Sequence, residues 1–223
     1  AGVLFVTSGL GGMSGAQTLA AVITGAVGII AEVDPAAVQQ RIADGYVLSE
    51  NVYTDLNKLI EAARSSKERK VAVALVYHGN IVDLWEKLVK SDLAVELGSD
   101  QTSLHNIDDL GYCPVGYTFE EAKSLLSKNK ERFMTEVRKS LKRHVKAINT
   151  LSERGMYFWD YGNAFLKEAG LAGANIWKDK KQTGYRYPSY VEDIMGPMCF
   201  DYGFGPFRWV CLSGSEQDLY TTD

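Results

Sequence analysis

The sequence predicts an α/β fold: a Rossmann-like, doubly wound and mostly parallel sheet with helices on both faces. Apolar, β-branched runs alternate with helical patterns through about residue 100, which is typical of a covered parallel sheet. A glycine-rich turn joins the first run to the first helical pattern. From Ala174 to Trp209 the chain is rich in glycine, proline and aromatic residues, which predicts an irregular C-terminal region.

Five apolar runs predict the strands of the first half, because short β-branched runs are typical of strands buried on both faces. They are Val3–Ser8, Gly28–Val33, Tyr46–Ser49, Val71–Tyr77 and Leu93–Leu97. The helical patterns between them predict helices at Gly15–Val27, Asp34 to about Asp44, Asp55–Lys67 and Asn80–Lys90. Asp34 is expected to cap the second of these, with Pro35 in its first turn.

Helical patterns dominate the second half. We predict helices at Phe119–Lys128 and Glu131–Glu153, a strand at Met156–Tyr161 and a helix at Asn163–Ala172. His144 lies in the long helix between Arg143 and Val145, so we expect it to be a surface or packing residue.

The composition limits the number of domains and the class of protein. With 223 residues, 46% of them hydrophobic, the chain can bury one substantial core, and we predict a single domain over residues 1–223. It opens directly on a strand and ends in a helix-like segment, so we expect a piece excised from a longer two-domain enzyme, without a signal peptide. A net charge of -4 argues against a nucleic-acid or anionic-membrane surface, and no apolar run approaches the roughly 20 residues of a membrane span. Three well-separated cysteines, Cys113, Cys199 and Cys211, predict a reduced intracellular protein with neither a disulfide framework nor a zinc site.

The turn after the first strand, Gly9-Leu10-Gly11-Gly12-Met13-Ser14, nearly matches the dinucleotide-binding pattern G-x-G-x-x-G. In that pattern the glycines permit a tight turn and a close backbone approach to a pyrophosphate, which the N-terminus of the next helix faces. Glu32 ends the second predicted strand, where a carboxylate can accept hydrogen bonds from ribose hydroxyls and repel the 2′-phosphate of NADP. The pattern favours NAD; the alternative is a tight turn that binds no ligand.

Polar side chains follow three other predicted strands. They are His78 and Asn80, then Gln101, Thr102, Ser103 and His105, and finally Asp160, Tyr161 and Asn163. Because ligands of open α/β sheets bind at the carboxyl ends of strands, we expect these groups to face the crevice of the glycine turn. The alternatives are a helix N-cap at Asn80, a capped turn at residues 101–105 and a core aromatic at Tyr161.

Several blocks together resemble a known family. They are TSGLGGMSGAQ, AEVD, YHGN, GSDQTSLHN, GMYFWDYGNA and DIMGPMCFDYGFGPFRWV, in this order along nearly the whole chain. The sequence resembles the central NAD-binding domain of the urocanase (urocanate hydratase) family. The resemblance implies a cytoplasmic, homodimeric hydro-lyase of histidine breakdown, which adds water to urocanate and uses NAD+ as an electrophile.

The resemblance also implies the residues that contact NAD+. They are Gly12, Met13 and Ser14, the ribose-binding Glu32, Asn80 and Ile81, the loop residues Gln101, Thr102, Ser103 and His105, and Tyr112 and Tyr161. With Gly9 and Gly11 of the glycine pattern, they make up the predicted cofactor-binding residues. Ala37 stands where many relatives have an arginine that helps to bind the cofactor. The resemblance implies that the family's active-site cysteine lies beyond this chain, so neither Cys199 nor Cys211 takes that role. We therefore expect no catalytic residue and no metal ligand here. We also predict that the chain alone is inactive.

Two other functions fit the glycine turn. A conventional NAD-dependent dehydrogenase would need a base such as His78 or His105. A non-catalytic NAD-binding module would bind the nucleotide without chemistry.

Overall fold

A parallel sheet forms the centre of the computed structural model, which describes residues 1–205 and 213–222. Its strands are β1 (Leu4–Ser8), β2 (Val27–Glu32), β3 (Val52–Tyr53), β4 (Val73–His78), β5 (Leu97–Asp100) and β6 (Tyr157–Asp160). They lie in the order β3-β4-β2-β1-β5-β6, and every neighbouring pair is parallel. The predicted fold class is therefore confirmed.

Helices cover both faces of this sheet. They are α1 (Ala16–Ile23), α2 (Pro35–Ala43), α3 (Leu56–Glu68), α4 (Ile81–Lys90), α5 (Phe119–Lys128), α6 (Lys130–Glu153) and α7 (Ala164–Leu171), followed by the short α8 (Gly196–Met198) and α9 (Glu216–Thr222). Successive strand residues point to opposite faces. Ile30 therefore packs with Val38 of α2, whereas Ile29 belongs to the larger cluster that includes residues of α3, α4, α6 and α7.

Local chemistry explains where the helices begin. Asp34 caps α2 by accepting a hydrogen bond from the N–H of Ala36, with Pro35 in the first turn, as predicted. A reciprocal capping box between Thr118 and Glu121 begins α5. No helix in the described part of the chain is long and apolar enough to cross a membrane.

Two strand predictions are wrong in position. Residues 46–49 form no strand: Val47 packs in the apolar cluster that contains Val38 of α2, without pairing to another strand. The short edge strand β3 follows at residues 52–53. The strand predicted at 93–97 is instead β5 at residues 97–100. Leu93 and Val95 are buried in the core but make no ladder, so their apolar character marks burial rather than pairing.

The region after α7 is irregular up to residue 189, as predicted, whereas a π-helical segment (Tyr190–Met195), the short α8 and a 3₁₀ turn (Phe200–Tyr202) follow. A bridge joins Trp177 to Tyr185, and another places Ser189 beside the end of β6. Residues 206–209, the end of the predicted irregular region, and Cys211 beyond it lie outside the described residues.

Candidate functional site

A cleft of about 240 Å³ opens at the carboxyl edge of the sheet. It lies where β1 is flanked by β2 on one side and β5 on the other, the point at which the strand order reverses. Ten of the predicted site residues line it: Gly9, Gly11, Ser14, Glu32, Asn80, Ile81, Gln101, Thr102, Ser103 and Tyr112. The topology thus brings together loops that are far apart in sequence.

The glycine turn, residues 9–14, is shaped by backbone contacts. Gly9 has a φ of +92°, and its N–H donates to the carbonyl of Ala31 at 2.8 Å. A Cβ atom at Gly9 would lie 2.8 Å from Oγ of Ser14 and 3.4 Å from the carbonyl oxygen of Gln101. Only glycine therefore fits without movement, and the glycine turn is in close contact with the loop after β5.

The Glu32 carboxylate ties the glycine turn to the end of β2. Its Oε2 accepts a hydrogen bond from the N–H of Leu10 at 2.7 Å, and its Oε1 accepts from the N–H groups of Val33 and Asp34 at 2.8 Å each. Burial raises the pKa of Glu32, and these three N–H groups oppose that rise. Oε2 has accepting capacity left for one further donor in the cleft.

Asn80 holds two segments together at the start of α4. Its Oδ1 accepts from the N–H of Val82 at 2.9 Å, and its Nδ2 donates to the carbonyl of Cys113 at 2.9 Å. The helix N-cap interpretation of Asn80 is therefore correct. Its side chain also fixes the segment that carries Tyr112, so the residue contributes to the shape of the cleft.

A buried polar cluster follows β5. Asp100 accepts hydrogen bonds at Oδ2 from the N–H of Thr102 at 3.1 Å and from its hydroxyl at 2.6 Å, and the Ser8 hydroxyl reaches Oδ1 at 3.5 Å. Burial, with the neighbouring Asp160 carboxyl, raises the pKa of Asp100 to about 7. Burial raises the pKa of Asp160 too, against four backbone N–H groups that lower it.

Tyr112 reaches the cleft from a buried position against α6. Its hydroxyl lies 3.2 Å from Nδ1 of His144, whose ring packs 4.7 Å from that of Phe165. Burial lowers the pKa of His144 to about 3, so its imidazole is neutral at physiological pH. Of the two alternatives for His144, the packing role is correct, and the residue also supports Tyr112.

Comparison with known proteins identifies the family. Residues 1–194 match the urocanase Rossmann-like domain, and residues 197–223 match the urocanase C-terminal domain. The chain belongs to the urocanase family. It is 55% identical to a probable urocanate hydratase of Dictyostelium discoideum and 52% identical to the urocanate hydratases of Mus musculus and Homo sapiens, in each case over 100% of its own length. It spans about a third of those relatives, 33% of each.

Within this urocanase-family fold, four predicted site residues lie outside the cleft lining. Gly12 and Met13 are at the exposed tip of the glycine turn, and Met13 is 72% exposed. His105 is exposed in a 3₁₀ turn, Leu104–Asp109, and Tyr161 stacks on Tyr190 with ring centroids 5.3 Å apart. Their contacts with a cofactor stay predictions.

The position of Ala37 also bears on the urocanase site. Ala37 lines the cleft with a methyl group, which carries no hydrogen-bond donor and no charge. Arg41, one helical turn further along α2, pairs with Asp44 at 3.1 Å and lies over the ring of Tyr46. In this arrangement Arg41 does not take the place of the arginine that the resemblance implies at position 37.

Sequence reasoning missed Asp100, Gly111 and Cys113. Asp100 could have been found from its position, because it is a carboxylate that follows an apolar run and directly precedes the predicted cofactor-binding residues Gln101, Thr102 and Ser103. Gly111 and Cys113 line the cleft, and burial raises the pKa of the Cys113 thiol to about 12, which keeps it protonated.

Proposed function

We propose that this chain is the NAD+-binding domain of a urocanate hydratase. The observation that carries the proposal is the meeting of the glycine turn and Glu32 at the point where the strand order reverses, in a chain of the urocanase family. The whole of residues 1–223 is proposed to act as a single unit of a longer polypeptide. The relatives, of which the chain spans 33%, support that view.

The residues of the cleft fit a dinucleotide. The N–H groups at the start of α1 and the open backbone around Gly11 and Gly12 suit a pyrophosphate. The accepting capacity left on Oε2 of Glu32 suits a ribose hydroxyl, and the carboxylate disfavours a 2′-phosphate. When bound, NAD+ supplies an electrophilic nicotinamide. This chain's own residues bind and orient the nucleotide.

The proposed reaction of the whole enzyme is the addition of water to urocanate, giving imidazolone propionate, with no net oxidation or reduction. We assign the catalytic cysteine to a part of the polypeptide outside this chain. We also propose a homodimer in the cytoplasm. The free thiols of Cys113 and Cys199 support a reducing compartment.

The dehydrogenase alternative is less well supported. None of the chain's histidines, all of which lie in the described part, lines the cleft, and His144 is buried and neutral. A base for hydride-transfer chemistry would have to come from elsewhere.

Calorimetric titration of the chain with NAD+ and NADP+ tests the cofactor. We expect saturable binding of NAD+ and at least tenfold weaker binding of NADP+. Glu32→Gln should weaken NAD+ binding about tenfold, because a hydrogen bond to a charged group is lost. Glu61→Gln, on the exposed side of α3, is the matched control and should change nothing. Equal affinity for the two nucleotides, or no NAD+ binding by either the chain or the longer polypeptide, would contradict the proposal.

A further inference from the structure

Two buried aspartates lie side by side at the carboxyl edge of the sheet. Asp100 ends β5 and Asp160 ends β6, and they are direct partners in the register of the two strands. Their exposed fractions are 1% and 2%. Side chains of such partners point to the same face, and neighbouring strands are about 4.8 Å apart. We call these two residues the aspartate pair.

The two carboxyl groups have different partners. Asp160 lies at the start of α7, where Oδ2 accepts from the N–H of Leu166 at 3.1 Å and further backbone N–H groups face the carboxylate. Such donors stabilise the charged form. Asp100 accepts both of its short hydrogen bonds on one oxygen, from Thr102. Its other oxygen accepts one hydrogen bond in the described part of the chain, from the Ser8 hydroxyl at 3.5 Å. Two adjacent buried carboxylates repel each other when both are ionised, and Asp100 has fewer N–H donors than Asp160, so a proton is favoured on Asp100.

The hydrogen bonds of Thr102 explain what Asp100 does for the cleft. Both the N–H and the hydroxyl of Thr102, a residue that lines the cleft, donate hydrogen bonds to Oδ2 of Asp100. This fixes the loop 101–103, whose Gln101 carbonyl lies against Gly9 of the glycine turn. A shift of the loop 101–103 would therefore also displace the glycine turn on the other side of the cleft.

We propose that Asp100 is a positioning residue for the cofactor loop 101–103, and that it acts as a neutral acid beside the ionised Asp160. The proposal rests on the proposed function of the cleft as an NAD+ site. In the described part of the chain, the groups facing Asp100 are Asp160 from β6, Ser8 from β1, Thr102 from its own loop and the phenol of Tyr112. Burial raises the pKa of Tyr112, and a charge on Asp100 raises it further. None of these groups supplies a positive charge to offset a second ionised carboxylate.

The pH dependence has a definite sign. The folded-state pKa of Asp100 is raised from 3.8 to about 7. The stability due to its neutral form is therefore fully present below about pH 4 and is lost as the pH rises through about 7. Above neutral pH, repulsion from Asp160 should loosen the loop and weaken NAD+ binding.

The test is calorimetric titration with NAD+ at pH 6 and pH 8.5. The wild-type chain should lose affinity severalfold at the higher pH. Asp100→Asn keeps an acceptor for Thr102 but cannot ionise, so it should bind within about threefold of wild type at pH 6 and show no fall at pH 8.5. Asp100→Leu and Thr102→Val should each lose about tenfold at both pH values. Asp92→Asn, an exposed acid after α4, is the control and should follow wild type.

Two results would overturn the proposal: an Asp100→Asn variant as weak as Asp100→Leu, or a pH profile shared by wild type and Asp100→Asn. Hydrogen exchange at the Thr102 amide is independent of the nucleotide. It should be slow in wild type and Asp100→Asn at pH 6 and at least tenfold faster in Asp100→Leu. If neither the wild-type chain nor the longer polypeptide binds NAD+ while this exchange pattern holds, the proposed function fails, but the positioning of loop 101–103 by Asp100 stands. Equal exchange in all three proteins refutes the positioning role. Thr102→Val covers the case in which Asp100→Leu does not fold.

Discussion

At the scale of single residues, the glycines of the turn differ in what they contribute. Gly9 has a positive φ, and a Cβ atom placed there would lie 2.8 Å from Oγ of Ser14 and 3.4 Å from the carbonyl oxygen of Gln101. Gly12 has an ordinary φ, and nothing lies within 4 Å of a Cβ atom placed there. Both glycines belong to the same glycine-rich turn. We nevertheless expect a side chain to be tolerated at position 12 and to be destabilising at position 9.

Substitution of the two glycines checks this difference. Gly9→Ala should lower the free energy of unfolding by about 1–2 kcal/mol or more, because an L-residue is strained at this φ and its Cβ meets Oγ of Ser14. Gly12→Ala should change it by less than about 0.5 kcal/mol, as expected for an open surface position. Urea unfolding monitored by circular dichroism measures both. Equal losses in the two variants would mean that the turn is not held as described.

At the scale of elements, periodicity predicted the helices and the fold class, because long amphipathic and buried patterns reflect burial directly. Helix α5 has the predicted bounds, and α6 begins within one residue of its prediction. Burial alone does not distinguish a paired strand from a packed loop, and for that reason residues 46–49 and 93–96 were wrongly predicted as strand. Glu32 was predictable from its place after β2, whereas the role of Asp100 depends on its register with Asp160, which spacing along one chain does not reveal.

The segment after the 3₁₀ turn 104–109 supplies a second test at this scale. Gly111 packs so closely that a Cβ atom would lie 1.9 Å from the carbonyl oxygen of Ser103. Gly111→Ala should therefore push the loop 101–103 out of place and weaken NAD+ binding at least tenfold, with a loss of stability of about 1–3 kcal/mol. Gly162→Ala, where no atom lies within 4 Å of the added Cβ, is the matched control. Calorimetry and urea unfolding measure the two effects, and unchanged NAD+ affinity in a folded Gly111→Ala protein would contradict the loop's role.

At the scale of the whole molecule, the cleft is small for its proposed ligand. Its 240 Å³ is below the range of about 300–1,000 Å³ usual for small-molecule sites. Large apolar side chains are exposed in the segment that matches the C-terminal domain, with Met198 70%, Tyr202 74% and Phe204 71% exposed. Both observations fit a site that is completed by more of the polypeptide than this chain contains.

The activity of the chain alone tests that interpretation. The isolated chain should give no loss of the near-ultraviolet absorbance of urocanate, even with saturating NAD+, because the proposed catalytic cysteine lies outside it. The longer polypeptide should turn urocanate over and should bind NAD+ at least tenfold more tightly, since a larger part of the nucleotide is then buried. Glu32→Gln in the longer polypeptide should weaken NAD+ binding and leave the urocanate site itself unaltered. Turnover by the isolated chain would show that its own cleft holds the reacting groups, and would overturn the division of the site proposed here.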